Sequence, residues 1–303
     1  MRQFYLCSYI FSITLSLIPT VLADTLDRDR DQIKVLIVDG FNNHDWKATT
    51  KDTKEILSAS NLFTVEVSTA PEKQSAQGWD NWRPQFAKYD VVIQNCNSYG
   101  NRPSWPKQVQ EDLEQYVDQG GGLFVLHSAN NAFPEWDEYN KMIGLGWRDK
   151  DFGASITISD DGEIITIPSG EGESTSHGKK VNALITSLGN HPIHKGLPKQ
   201  WMAAELEIYS YARGPAKNLS VISYAREPKT KLNFPIEWVV QYGEGNVYVS
   251  TFGHVWRNKK SPPAMRCIAF HTALIRATEW LGSGKVSYPI PANHPDEHSI
   301  QLK

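Results

Sequence analysis

A chain of 303 residues, 40% apolar and 21% charged, is long enough for one large α/β domain with a substantial core. Its net charge of −3, with lysines and arginines scattered along the chain, speaks against a nucleic-acid-binding protein. Ten tryptophans and twelve tyrosines suit sugar-binding surfaces as well as cores, and composition alone does not separate the two.

The chain opens with Arg2 and then a run, residues 4–17, that is apolar apart from a few hydroxyls. Val21-Leu22-Ala23 resembles a signal-peptidase site. Residues 1–23 are therefore predicted to be a signal peptide cleaved before Asp24, and the protein to be exported to a periplasm or the extracellular space. The apolar run is too short and too rich in serine for a spanning helix. Cys7 lies early in that run, ahead of its apolar core, the wrong place for a lipid-bearing cysteine, so no stable membrane anchor is expected. Residues 24–32 read as a charged linker. Cys96 and Cys267 remain in the mature chain. They form no disulfide framework, and two separate buried thiols are expected.

Residues 33–40 are β-branched and apolar and make a first strand. The polar and aromatic loop Phe41-Asn42-Asn43-His44-Asp45-Trp46 follows it. A helix is predicted over 48–60, starting near Thr49 or Thr50, and a second strand over 63–69. Residues 77–87, with Trp79 and Trp82, form a loop with a short helix. A third strand covers 89–96, and an acidic amphipathic helix covers 106–118. Gly120-Gly121-Gly122 then introduces a short apolar strand that ends abruptly in His127-Ser128-Ala129-Asn130-Asn131. Short apolar runs alternating with helices indicate a largely parallel sheet. Such sheets bind ligands at the carboxyl ends of their strands.

Residues 135–143 look helical. Residues 154–158 and 163–167 flank Asp161-Gly162, a hairpin signal. Residues 170–180 form a polar loop holding His177, followed by a strand over 181–188 and a proline turn from His191 to Pro198. Strands are predicted over 204–211, 219–225, 236–242 and 247–252, the last two joined by Gly243-Glu244-Gly245-Asn246. A long helix over 265–281 ends at Gly282 and Gly284. The expected fold is α/β: a mostly parallel central sheet flanked by helices, with an antiparallel portion added by the second half. A single domain over 33–289 carries a tail, 290–303.

His44, His127 and His254 each lie just past a predicted strand end. Imidazole titrates near neutral pH, and a neighbouring carboxylate holds one tautomer and raises its basicity. Alternation within Glu205-Leu206-Glu207-Ile208-Tyr209 puts Glu205, Glu207 and Tyr209 on one face. His127 and His254, with Glu207, are therefore the expected catalytic acid/base set. His177, His191, His194 and His271 are read as architectural. No His-x-His or His-Glu-x-x-His is present, so no cofactor is expected; Zn²⁺ on the same atoms is the weaker option. Ser128, Glu207 and His254 occur in the order of an α/β-hydrolase triad, but the small flanking residues of a nucleophile elbow are missing.

These pieces together resemble the ThuA-like (trehalose utilisation) family. They comprise the Gly120-Gly121-Gly122 strand ending in His127-Ser128, His191-Pro192-Ile193 with Gly196-Leu197-Pro198, Glu207-Ile208-Tyr209, Gly243-Glu244-Gly245-Asn246-Val247, Gly253-His254 and Trp280 with the glycines after it. Asn43-His44-Asp45-Trp46 matches one branch of the family. The resemblance implies a class I glutamine amidotransferase-like, flavodoxin-like fold. In those enzymes a Cys nucleophile occupies the turn that carries His127 here, and His254 resembles their catalytic His, so glutaminase activity is not implied. It implies instead a role in disaccharide or oxidised-sugar catabolism. The acidic pair usual before the Tyr is Leu206-Glu207 here, so one acid is lost.

The resulting expectation is an exported enzyme, a hydrolase, lyase or isomerase acting on a sugar or 3-keto-sugar. His44, Trp46, Asn130, Asn131, Tyr209, Trp238 and Trp256 are its expected substrate contacts. A non-catalytic sugar-binding protein and a metal-dependent hydrolase are the alternatives.

Overall fold

The computed structural model describes residues 1, 32–98 and 104–303. The expected signal peptide and linker lie, apart from their end residues Met1 and Gln32, outside the described residues. Gln32–Lys303 clusters as one unit, and no helix among the described residues is long and apolar enough to cross a membrane.

β1 (Ile33–Asp39), β2 (Phe63–Thr69), β3 (Val91–Gln94) and β4 (Gly122–Leu126) form the first half of a large sheet. Both faces of β1, β3 and β4 are buried, which their unbroken apolar runs require. Side-chain alternation feeds two cores. Val35, Ile37, Ile93 and Phe124 pack with α1 (Trp46–Ser58), while Leu36, Val38, Val92 and Val125 pack with α2 (Lys107–Asp118) and α3 (Asp137–Ile143). α1 starts earlier than its sequence suggested. The Asp45 carboxylate caps it by accepting from the Ala48 amide at 3.0 Å, ahead of either threonine.

The second half supplies β5 (Ala154–Ile158), β6 (Ile164–Ile167), β7 (Ser176–His177), β8 (Val181–Ser187), β9 (Gln200–Leu206), β10 (Tyr209–Ser210), β11 (Arg213–Gly214), β12 (Leu219–Arg226), β13 (Asn233–Tyr242) and β14 (Gly245–Ser250). The sheet runs β2-β1-β3-β4-β14-β13-β12-β8-β9, and β5, β6 and β11 bring it to 12 strands. Pairings from β2 to β14 are parallel. Those from β14 to β9 are antiparallel. The sheet is thus mixed rather than mostly parallel. β12, β13 and β14 follow one another with short connections, and strands so joined must run antiparallel. The hairpin β5–β6 forms as its Asp161-Gly162 turn suggests.

Two predicted elements are cut. The single helix over 265–281 is α4 (Pro263–Arg266) and α5 (Ile268–Ser283), separated at Cys267, whose φ of −65° and ψ of 124° are extended. The strand over 204–211 stops at Leu206, and Tyr209 resumes in β10, which pairs with β7 outside the main sheet. Cys96 and Cys267 are both buried and unpaired.

Arg148, 5% exposed, ties down the segment after β4. It donates to the carbonyls of Asn131 (3.1 Å), Ala132 (2.6 Å) and Trp147 (2.9 Å) and to Asn140 Oδ1. Burial pulls its pKa down to about 10, which leaves it charged at neutral pH. Arg148→Met would strip these buried oxygens of their donor. It is expected to cost about 2–4 kcal/mol, read as a shift in urea midpoint; an unchanged midpoint would show that the segment holds itself.

Candidate functional site

Three strands that run parallel and close together, β1, β4 and β14, end on the same side of the sheet. Each delivers one histidine from the loop at its carboxyl end. After β1, Asn42 accepts from the His44 amide at 3.0 Å, and its own amide donates to the Asn95 carbonyl. That closes the loop so that the His44 ring points back over the sheet end. After β4 the chain turns sharply at His127, whose φ is +47°. A non-glycine residue in this region stores about 1–3 kcal/mol of strain, a cost usually found where function demands a side-chain direction. After β14, Gly253 (φ +63°) turns the chain into His254.

The rings of His127 and His254 stack with centroids 4.1 Å apart and 4° between planes. His44 meets both edge-on, at 5.4 and 5.0 Å. Glu207 closes the set from the other half of the chain. Its Oε2 lies 3.4 Å from His127 Nε2, and its Oε1 lies 3.4 Å from His254 Nε2. One nitrogen or oxygen from each of His44, His127, Glu207 and His254 falls within 4.8 Å of the others. All four residues are at most 9% exposed.

The neighbours set the tautomers. His127 Nδ1 lies 2.8 Å from the Thr251 carbonyl, which can only accept, so Nδ1 carries the proton. His44 Nδ1 lies 2.8 Å from Asn43 Oδ1, which is held by the Asn97 amide at 2.7 Å. The Lys180 ammonium donates to His254 Nε2 at 2.8 Å. Burial, with the neighbouring rings adding to it, pushes the His44 pKa down to about 2 and that of His254 down to about 4. Burial also works against ionisation of Glu207, but His127 and His254 outweigh it and hold the carboxyl well below its usual range. The centre therefore sets three imidazoles against one carboxylate.

Around this centre, the Tyr209 hydroxyl lies 3.2 Å from His127 Nε2. The Trp256 ring, 43% exposed, stands 4.8 Å from the His44 ring. Trp147 meets both His177 (5.5 Å) and Tyr209 (5.2 Å) edge-on. Of the expected contacts, His44, Tyr209 and Trp256 thus join His127, His254 and Glu207. Trp238 does not: it is fully buried, with its indole N–H on the Ile143 carbonyl at 2.8 Å, because β13 turns that residue into the core against α3. Trp46 opens α1 with the Lys47 ammonium over its ring and takes no part in the cluster's ring contacts. The Asn130 amide is wholly buried and has no hydrogen-bond partner among the described residues. The Asn131 side-chain oxygen is likewise unpartnered, beside Arg148's bond to the Asn131 carbonyl. Ser128 donates to Asn42 at 3.2 Å rather than to His254, which disfavours a serine triad.

Lys180 was not singled out by the sequence, and His177, read there as architectural, stands beside the cluster. Lys180 Nζ and His177 Nε2 each lie 3.8 Å from Glu207. They reach it because β7 pairs antiparallel with β10, bringing His177 opposite Tyr209. The only signal was a polar loop, which many surfaces share. A second buried carboxylate, Glu237, is satisfied by His194 (3.1 Å), Ser223 and Tyr248. It ties the proline turn to the sheet, an architectural role.

A family model described as ThuA, trehalose utilisation, matches residues 34–281. The chain is also similar to the crystal structure of a ThuA-like protein from Parabacteroides merdae. That match has 29% identity and a TM-score of 0.84, covering 90% of this chain and 98% of that one. A ThuA-like protein from Bacteroides uniformis, 15% identical with a TM-score of 0.51 over 84% of this chain and 94% of that one, shares the fold. No curated protein matches the chain.

Proposed function

The chain belongs to the ThuA family, which supports a carbohydrate-related role, and on that premise we propose that it is an exported enzyme that acts on trehalose or another disaccharide, 3-keto forms included. The observation that carries this reading is the convergence of His127, His254 and Glu207, each ring nitrogen 3.4 Å from the carboxylate, in a buried cluster edged by aromatic rings. In this reading His127 and His254 give and take protons at a sugar hydroxyl or carbonyl, and Glu207 orients them. Trp256 offers an exposed ring to the apolar face of a pyranose. In this reading the fold is a variant of the class I glutamine amidotransferase-like one, and no glutaminase activity is expected, since the strained turn after β4 holds an imidazole and no thiol.

The test is turnover of trehalose and of 3-keto-disaccharides, read as release of monosaccharide. His127→Ala and His254→Ala are each expected to lower kcat/KM about 100-fold or more. Turnover left intact in both variants would refute the acid/base assignment. A wild-type protein that binds these sugars by calorimetry but alters none of them would be a binding protein using the same residues.

A further inference from the structure

We propose that His44, His127, His254 and Glu207 together hold a divalent first-row transition-metal ion, with Zn²⁺ the ion of choice. The proposal rests on the cluster being the reacting centre and adds what that centre is built around.

Hydrogen-bond bookkeeping at the rings points there. The Thr251 carbonyl takes the Nδ1 proton of His127, and Asn43 Oδ1 faces Nδ1 of His44. His254 Nε2 accepts a hydrogen bond from the Lys180 ammonium, which engages its lone pair. With its proton on Nδ1, His127 Nε2 turns a lone pair toward the Glu207 carboxylate only 3.4 Å away, and His254 Nε2 lies equally close to that carboxylate. Acceptor facing acceptor in a buried site is repulsive unless a positive charge sits between them. Nearby donors are Tyr209 and Lys180, at the edge of the set. A cation among the four groups satisfies them all at once.

Each metal-binding His commonly gives its other ring N–H to a carbonyl or carboxylate, which fixes the tautomer. Thr251 and Asn43 already stand in that place. Three imidazoles and one carboxylate are borderline nitrogen and oxygen donors, suited to Zn²⁺ and its neighbours rather than to Ca²⁺ or Mg²⁺. Four ligand atoms set tetrahedrally about 2.1 Å from an ion lie about 3.4 Å apart. From the observed 4.8 Å, the most widely separated side chains need to move by about 0.7 Å each. The ligands come from loops after β1, β4, β9 and β14, so the site exists only in the folded chain. An ion here would polarise a sugar oxygen or acidify a bound water. His127 and His254 would then be ligands, and the proton work would pass to that water or to Lys180.

The experiment is titration of the purified, chelator-stripped protein with Zn²⁺ and Co²⁺, following heat by calorimetry and the visible absorption of bound Co²⁺. One equivalent is expected to bind, with visible Co²⁺ bands. His44→Ala is expected to weaken binding about 100-fold or more, beyond the loss from an outer partner. Lys180→Met removes a competing positive charge and is expected to tighten binding about 5-fold or more. Should His44→Ala misfold, Glu207→Gln, nearly isosteric, carries the same test. No saturable binding, or binding that both ligand variants leave unchanged, overturns the proposal. Metal-free protein that binds no ion yet turns over sugar would overturn the cation and spare the enzyme reading. Stoichiometric binding without turnover of any sugar would support the cation and remove the enzyme reading.

Discussion

Replacing Glu207 by glutamine is expected to lower turnover about 1000-fold while leaving the protein folded. Glu207 is 6% exposed and touches the rings of His127 and His254 and, more distantly, Lys180 and His177. Its charge is the only negative one among these groups. Whether the histidines move protons or hold an ion, that charge is what makes their lone pairs useful. Glutamine keeps the size and can donate to the ring lone pairs, so packing is retained. It also relieves the burial of an ionised group, so melting temperature is expected to hold or rise. The measurements are kcat/KM on a 3-keto-disaccharide and a thermal melt of the same sample. Wild-type turnover in this variant would remove Glu207 from the centre.

Gly253→Ala is expected to destabilise the protein by about 4 kcal/mol and to abolish most activity with it. The residue has φ of +63°, and a Cβ built there lies 2.7–3.0 Å from the Phe270 ring. Phe270 is 1% exposed and part of the core around α5, so it has no room to withdraw. Two costs therefore add: left-handed backbone for a residue with a Cβ, and overpacking of an aromatic ring. His254 is the next residue, so any backbone relief moves its ring out of register with His127. Chemical denaturation gives the stability term. A loss below about 1 kcal/mol would mean that Phe270 yields more than its packing suggests.

The strand-end histidines were legible because parallel strands buried on both faces leave an unmistakable trace. An apolar run with no alternation stops where the polar loop begins, as in Leu123 to Leu126 before His127. Strand direction across the second half was less legible. One strand's side chains do not encode whether its neighbour runs with it or against it; connection length does, and the short links among β12, β13 and β14 reverse each one. Alternation within 205–209 treated that stretch as one strand, whereas the chain breaks after Leu206 and Glu207 reaches the histidines from the bend.

By itself, the chain's local pattern determined which segments are strands and helices and where His44, His127 and His254 sit relative to strand ends, since periodicity is read over a few neighbouring residues. Tertiary structure alone decided that Glu207 and Lys180 meet those rings, that His177 stands beside Glu207, and that Trp238 stays away. Those contacts depend on pairings such as His177 with Tyr209, or His127 with Thr251 across 124 residues. The physical reason is that a partner so distant leaves no mark on the residues beside it. Only closing the sheet brings the lone pairs and the carboxylate to a common point.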